Sequence, residues 1–296
     1  NWSPPPLIPP ISRDPLGRDH YWFQRPIASD GNSSLLFVYT FGSDGPEDQW
    51  RVHHGIDLPN PIGDEVYAAG DGVVVFASDG RSGQTDIFQN TSSYGNVVFI
   101  EHDFSYDGQP VYTLYAHLQA ALVRAGDVVK AGDPIALVGN TGVVSGPHVH
   151  FEVRIGSDRY GATYNPVLWM VPYVGHGVIA GRVVDTEGEF VDDVLVTIRS
   201  FDTGLLHPAT VTTYNFPGTV DDVNPDPNWQ ENFAITDIPA GRWDVIVSLN
   251  GQRIVQQVEV FEGTTSFVEL RLPERPTEDA PPDETTEEQT DGEASS

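Results

Sequence analysis

Residues 146–153 read GPHVHFEV, two histidines on alternate positions between a Gly-Pro turn and an apolar run. Successive side chains of a strand point to opposite faces. His148 and His150 therefore share one face, with Cα atoms about 6.6 Å apart, and Val149, Phe151 and Val153 take the other as core. Outward from this strand lie EVYAAGDGVVVFAS (65–78), GNVVFIEHD (95–103), PVYTLYAHL (110–118) and ALVRAGDVVKAGDPIALVG (121–139). Short β-branched runs separated by Gly, Asp and Asn, with hardly any helical periodicity, predict an all-β chain built on antiparallel sheets, of barrel or sandwich form.

After a connector at 171–177 the pattern resumes in GVIAGRVVDTEGEFVDDVLVTIRS (177–200), NFAITDIPAGRWDVIVSLNGQ (232–252) and IVQQVEVFEGTTSFVELRL (254–272). Alternation at Val194, Val196 and Ile198, and at Val245, Val247 and Leu249, predicts strands with one buried face in a small Ig-like β-sandwich. The expected organisation is a Pro-rich extension (1–34) lying against the next domain, a first β domain (35–172), a β-sandwich (177–272) and an acidic tail (273–296). The tail has almost no apolar residues with which to offset the entropy of folding and is expected to be disordered.

The 296 residues hold 15 basic and 43 acidic side chains, a formal charge of -28. Such a chain repels phosphate backbones and anionic lipid surfaces, which argues against nucleic acid as a partner. The absence of cysteine excludes disulfides, thiolate zinc sites and a Cys nucleophile, so a metal must rest on His and carboxylates. No apolar run approaches the roughly 20 residues of a spanning helix. Met170 is the single methionine and the chain does not open on it, which leaves room for a processed leader. Oligomeric state is not legible.

Two imidazoles on one strand face can serve one metal, or one can bind while its neighbour handles protons. Alone, they fit a solvated His-x-His pair better; the question is what partners the chain supplies. In RVHHGIDLPNP (51–61), His53 precedes Asp57 by four residues, and Gly55 and Pro59 argue against a helix, so the pair converges where a loop enters a strand. One nitrogen and one oxygen from here, with one nitrogen from the His148/His150 strand, make three protein ligands and an open fourth position, the pattern of a catalytic zinc. His117, ending the strand YTLYAHL (112–118), is available as a base. Neither a His-Glu-x-x-His helix nor a Gly-x-Ser-x-Gly elbow is present.

In order, HHGIDL, YGNVVFIEHD, YTLYAHL, VKAGDPIALVGNTG and SGPHVHFEVR resemble the lysostaphin/LytM-type zinc endopeptidases over roughly residues 37–170. The resemblance implies one Zn2+ held by His53, Asp57 and His150, with His117 and His148 as the catalytic histidines. It also implies hydrolysis of peptidoglycan stem or cross-link peptides by a water that the ion activates, outside the cytoplasm. His54 falls off the ligand positions and is expected to support the site or lie on the surface; His20, His102, His176 and His207 receive no role.

Gly139, Gly142 and Gly146 read as ordinary turns or as a cleft rim near which a peptide can pass, and residues 78–95 as a loop over one groove wall. Residues 177–198 and 233–248 resemble carboxypeptidase-regulatory-like, transthyretin-like modules, a spacer or adhesive unit. Within it DDVNPDPNWQEN (221–232) reads as a solvated acidic loop in preference to a calcium site, and Trp229 and Trp243 as core. Two other function classes stay open. One is a catalytically silent wall-binding or regulatory protein on the same scaffold. The other is a biotinyl or lipoyl carrier modified at Lys130, which leaves four histidines unexplained.

Overall fold

A computed structural model describes residues 14–28, 31, 39–78, 93–215, 223–249 and 251–272. The acidic tail and most of the 78–95 insertion lie outside these residues, as does residues 1–13 of the extension. The described chain is nearly all β. In order the strands are β1 (Ile56–Pro59), β2 (Glu65–Tyr67), β3 (Gly72–Ser78), β4 (Asn96–Tyr106), β5 (Gln109–Leu118), β6 (Ala120–Ala121), β7 (Val128–Val129), β8 (Pro134–Leu137), β9 (His148–Ile155) and β10 (Thr163–Tyr164). They continue with β11 (His176–Val184), β12 (Leu195–Ser200), β13 (Leu206–Thr212), β14 (Phe233–Pro239), β15 (Gly241–Leu249), β16 (Gln252–Val260) and β17 (Thr265–Arg271).

The main sheet runs β1-β9-β5-β4-β3-β7, with β10 also paired to β9, and a smaller sheet runs β2-β8-β6. Strand β9 lies between β1 and β5, antiparallel to both. Val149, Phe151 and Val153 enter the core as their alternation predicts. The opposite face, His148, His150, Glu152 and Arg154, is buried as well, so β9 is closed on both sides where one solvent-facing side was a simple expectation. Tyr94 and Glu152 close it, a hydrogen-bonded pair 2.5 Å apart.

The C-terminal strands form a three-stranded sheet, β14-β11-β17, and a four-stranded sheet, β13-β12-β15-β16. Ile179, Val183, Val196, Ile198, Val245 and Val247 pack between them. The pairing of β11 with β17 is parallel, a departure from the antiparallel pattern of the other pairs.

Residues 19–27 run as a strap across both parts. Phe23 N donates to Trp169 O at 3.0 Å and Gln24 N to Ala69 O at 2.8 Å. On the other side Tyr21 bonds Thr265 at 2.6 Å and Arg25 pairs with Asp237 at 2.5 Å. Tyr21, Phe23, Trp169, Val178, Tyr214 and Trp229 belong to one apolar core. Residues 19–27 thus lie against the C-terminal sheets as well as against the strands that follow them in the chain.

The acidic loop reading of residues 221–232 is corrected: Asp226 and Glu231 are buried at 1% and 0% exposure. Asp226 lies 2.8 Å from His20 and Glu231 accepts from Tyr214 at 2.9 Å. An aromatic surround from the strap and Trp169 takes these carboxylates out of water, which the polar text around them conceals. Trp229 and Trp243 are buried, as expected of core.

Candidate metal centre

Asp57 on β1 and His150 on β9 are direct cross-strand partners in the antiparallel register. Side chains so paired start about 4.5–5.5 Å apart at Cβ, which brings Asp57 Oδ1 within 2.9 Å of His150 Nδ1. His53 arrives from the loop before β1 and sets its Nε2 at 3.2 Å from the same oxygen and 3.1 Å from His150 Nδ1. The loop can pass this closely because position 55 is glycine: a Cβ there would lie 2.4 Å from Phe151 O and 2.8 Å from the His150 ring.

What the other ring nitrogens do decides the chemistry. His53 Nδ1 faces Tyr39 O at 2.9 Å, and a carbonyl only accepts, so that nitrogen carries the hydrogen. His150 Nε2 donates to Glu152 Oε1 at 3.0 Å. In the neutral tautomers, His53 Nε2 and His150 Nδ1 therefore present lone pairs to each other and to Asp57 Oδ1. Three acceptor atoms 2.9–3.2 Å apart repel unless a cation lies among them. The spacing is close to the roughly 3.3 Å edge of a tetrahedral shell with 2.0–2.1 Å bonds, so these residues fit a small divalent ion.

In the metal-free protein a proton takes the cation's place. Burial opposes a charged His150, but hydrogen bonds to Asp57 and Glu152 outweigh it and push the group up to about 9. Burial likewise opposes an ionised Asp57, yet the His53 and His150 charges hold it well below the usual carboxylate range. Glu152 is anchored by Arg154 Nε at 2.7 Å and by the Tyr94 hydroxyl.

Beside this triangle stand His148 and His117, ring centroids 4.7 Å apart. His148 Nδ1 donates to Gly146 O at 2.8 Å and His117 Nδ1 to Thr141 O at 2.9 Å, leaving both Nε2 atoms as proton acceptors. His148 Nε2 is 3.5 Å from Asp57 Oδ1. Burial keeps both rings neutral, His117 falling to about 3 with the neighbouring His150 and His148 adding to the effect. His117 has φ +60°, a left-handed conformation that is rare for a residue with a Cβ and that over-determined surroundings must hold. Gly139 is part of that hold: its Cα meets the His117 carbonyl and Gln119 N so closely that a Cβ would sit 2.2–2.5 Å from them. Its role is packing behind His117, while a Cβ at Gly146 would meet open space.

All five sequence-selected residues thus converge. Sequence reasoning missed Glu152 and Tyr39. Glu152 was detectable, since it follows His150 by two positions on the same strand face; nothing in the sequence signalled Tyr39, which stacks on His53 at 4.0 Å and 12°. His54 is buried, with Nδ1 2.8 Å from Thr163 Oγ1, and supports the β10 edge. His102 is a satisfied core histidine between Asp71 O and Thr113, lowered to about 4 by burial.

Comparison with known sequences matches residues 51–166 to Peptidase family M23. The chain carries an M23 peptidase domain. The His53, Asp57, His150 triangle and both flanking histidines fall inside the matched residues, as does Lys130, so the carrier alternative has no separate support. The M23 domain is 42% identical over 123 residues to the DD-carboxypeptidase/endopeptidase Mpg of Neisseria meningitidis serogroup B, covering 42% of this chain and 24% of that protein. It is 40% identical over 103 residues to the peptidoglycan DD-endopeptidase ShyB of Vibrio cholerae, covering 35% and 20%. The chain therefore spans about a quarter or less of these relatives' length. Among solved structures, the catalytic domain of lysostaphin from Staphylococcus simulans matches with 28% identity, 45% of this chain, 88% of that one and a TM-score of 0.36. M23 is a metallopeptidase family, and the ligand atoms of His53, Asp57 and His150 lie close enough together to hold a metal ion.

Proposed function

We propose that this protein is a zinc endopeptidase that hydrolyses stem or cross-link peptides of bacterial peptidoglycan, with His53, Asp57 and His150 as metal ligands and His117 and His148 as the proton-handling pair. The observation that carries the reading is the convergence of three potential ligand atoms, His53 Nε2, Asp57 Oδ1 and His150 Nδ1, within 3.2 Å of one another. Relatives named as DD-endopeptidases support the substrate class, and with it a location outside the cytoplasm. Among the described residues no helix is long and apolar enough to cross a membrane.

A zinc ion supplies, when bound, a Lewis acid that polarises a carbonyl and brings the pKa of water towards about 7. The chain's own residues do the rest. His117 and His148 each hold Nδ1–H on a backbone carbonyl, so each Nε2 can take the proton of a water attacking a peptide carbonyl carbon and pass it to the departing amine as the C–N bond breaks. Such acid-base groups contribute typically 10²–10⁴-fold. Glu152 and the Tyr39 carbonyl fix the tautomers of the two imidazole ligands. We further propose the division into extension 1–34, peptidase 35–172, Ig-like sandwich 177–272 and tail 273–296.

The test is digestion of purified sacculi with identification of the released fragments. New amino termini produced by the wild-type protein, and none by His148→Ala or His117→Ala protein that still binds zinc, are expected. Fragments released equally by both variants overturn the assignment.

A further inference from the structure

Two of the three candidate ligands are set by strand pairing, Asp57 on β1 and His150 on β9. His53 is on neither strand. Its backbone is tied to the turn before it, Gly42 N donating to His53 O at 2.8 Å and His53 N to Ser43 O at 2.9 Å. That turn is gripped in turn by the C-terminal sheets. Asn215 N donates to Gly42 O at 2.7 Å, and Asn215 Nδ2 to Asp44 Oδ2 at 2.8 Å. The Tyr214 ring lies against Gly42, where a Cβ would be 2.6–2.9 Å from ring and Cβ atoms, and Gly42 has φ +78°. Phe41 meets the same ring edge-on at 5.2 Å.

The grip has a firm base. Thr213 N donates to Val194 O at 3.0 Å and Tyr214 N to Asn232 O at 2.7 Å, both within the C-terminal part. Tyr214 also accepts from Asn165 at 2.7 Å and donates to buried Glu231 at 2.9 Å. A line of backbone hydrogen bonds therefore runs from the C-terminal sheets through Gly42 to the peptide of His53. We infer that Tyr214 and Asn215 are positioning residues for His53, so that the C-terminal sheets form part of the metal-site frame and are more than a spacer. The inference rests on the metal reading of His53.

Full-length variants and zinc affinity by chelator competition test it, with amide hydrogen exchange at residues 42 and 53 of the metal-free protein as a second readout. Asn215→Pro removes the donor to Gly42; Gly42→Ala drives the turn off the Tyr214 ring. Each is expected to weaken zinc binding about tenfold, the low end for groups that orient ligands, and to speed exchange at residue 53. Asn215→Ala, which keeps the backbone donor and removes only the Asp44 link, is expected to lose less and serves where the proline variant does not fold. Ile198→Val, which loosens the sandwich core away from Gly42, is expected to leave affinity within about twofold. Unchanged affinity and exchange in folded Asn215→Pro and Gly42→Ala proteins overturns the positioning role, as does an equal loss in Ile198→Val. Wild-type protein that binds no zinc overturns the metal reading instead.

Discussion

Two buried clusters among the described residues mix histidine with carboxylates. One is His53, Asp57 and His150; the other is His20, Asp226 and Glu231, between the strap and the C-terminal sheets. Burial is alike in both, at 0–6% exposure. The second cluster is arranged in pairs: His20 and Asp226 are 2.8 Å apart, and Glu231 meets the Tyr214 hydroxyl and Asp226 N. Each of these contacts joins two atoms only. In the first cluster three acceptors meet mutually, and one proton can bridge only two of them at a time. Buried charge alone does not mark a site; the count of lone pairs left after every outer hydrogen bond is assigned does.

The sharpest break of this comparison is the loss of a ligand. His150→Ala or Asp57→Ala is expected to abolish zinc binding and hydrolysis together, read by metal analysis and peptide release. Removing one of the proposed acid-base groups instead, by His117→Ala or His148→Ala, is expected to retain zinc and lower kcat by about 10²–10⁴.

Outer partners come next. Glu152→Gln is expected to weaken zinc affinity about 10–100-fold. It also leaves Arg154, 2% exposed, without its carboxylate partner, at a cost of about 3–5 kcal/mol in urea unfolding. Asp226→Asn in the other cluster is expected to destabilise with no change in zinc affinity, and an altered affinity there would erase the distinction between the clusters.

The pH responses are smaller and differ in kind. With His150 at about 9 when metal-free, zinc binding at pH 7 is expected to release about one proton, a release that fades as pH rises through 9; calorimetry in buffers of different ionisation enthalpy reads it. Glu231 is pushed up to about 8 by burial and the Asp226 charge. The folded state then binds more protons than the unfolded one between about 4.5 and 8, so this group's contribution is full below that window and is lost as pH rises through it. Glu231→Gln is expected to flatten the decline in stability between pH 5 and 8.5.

Much of the peptidase site was legible because its residues obey local rules. HVHFEV alternates, Gly55 and Pro59 rule out a helix, and His117 ends an apolar run. The facing of Asp57 and His150 was not, because register is a property of two strands distant in sequence. The φ of His117 and the tether through Gly42 are likewise products of tertiary packing. In the C-terminal part the alternation of Val194, Val196 and Ile198 announced strands, but nothing local announced that β17 would pair in parallel with β11. Asp226 and Glu231 were misread because polar neighbours and prolines suggest water, whereas Tyr21 and Trp169 arrive from elsewhere in the chain to join Trp229 in one apolar core.

The most direct measurement is the zinc content of purified full-length protein after equilibrium dialysis at neutral pH, wild type against His150→Ala. One ion per wild-type chain and none in the variant is the expected result. A wild-type chain that retains no ion, or a variant that retains as much, would contradict the claim that three converging acceptor atoms are held together by a metal.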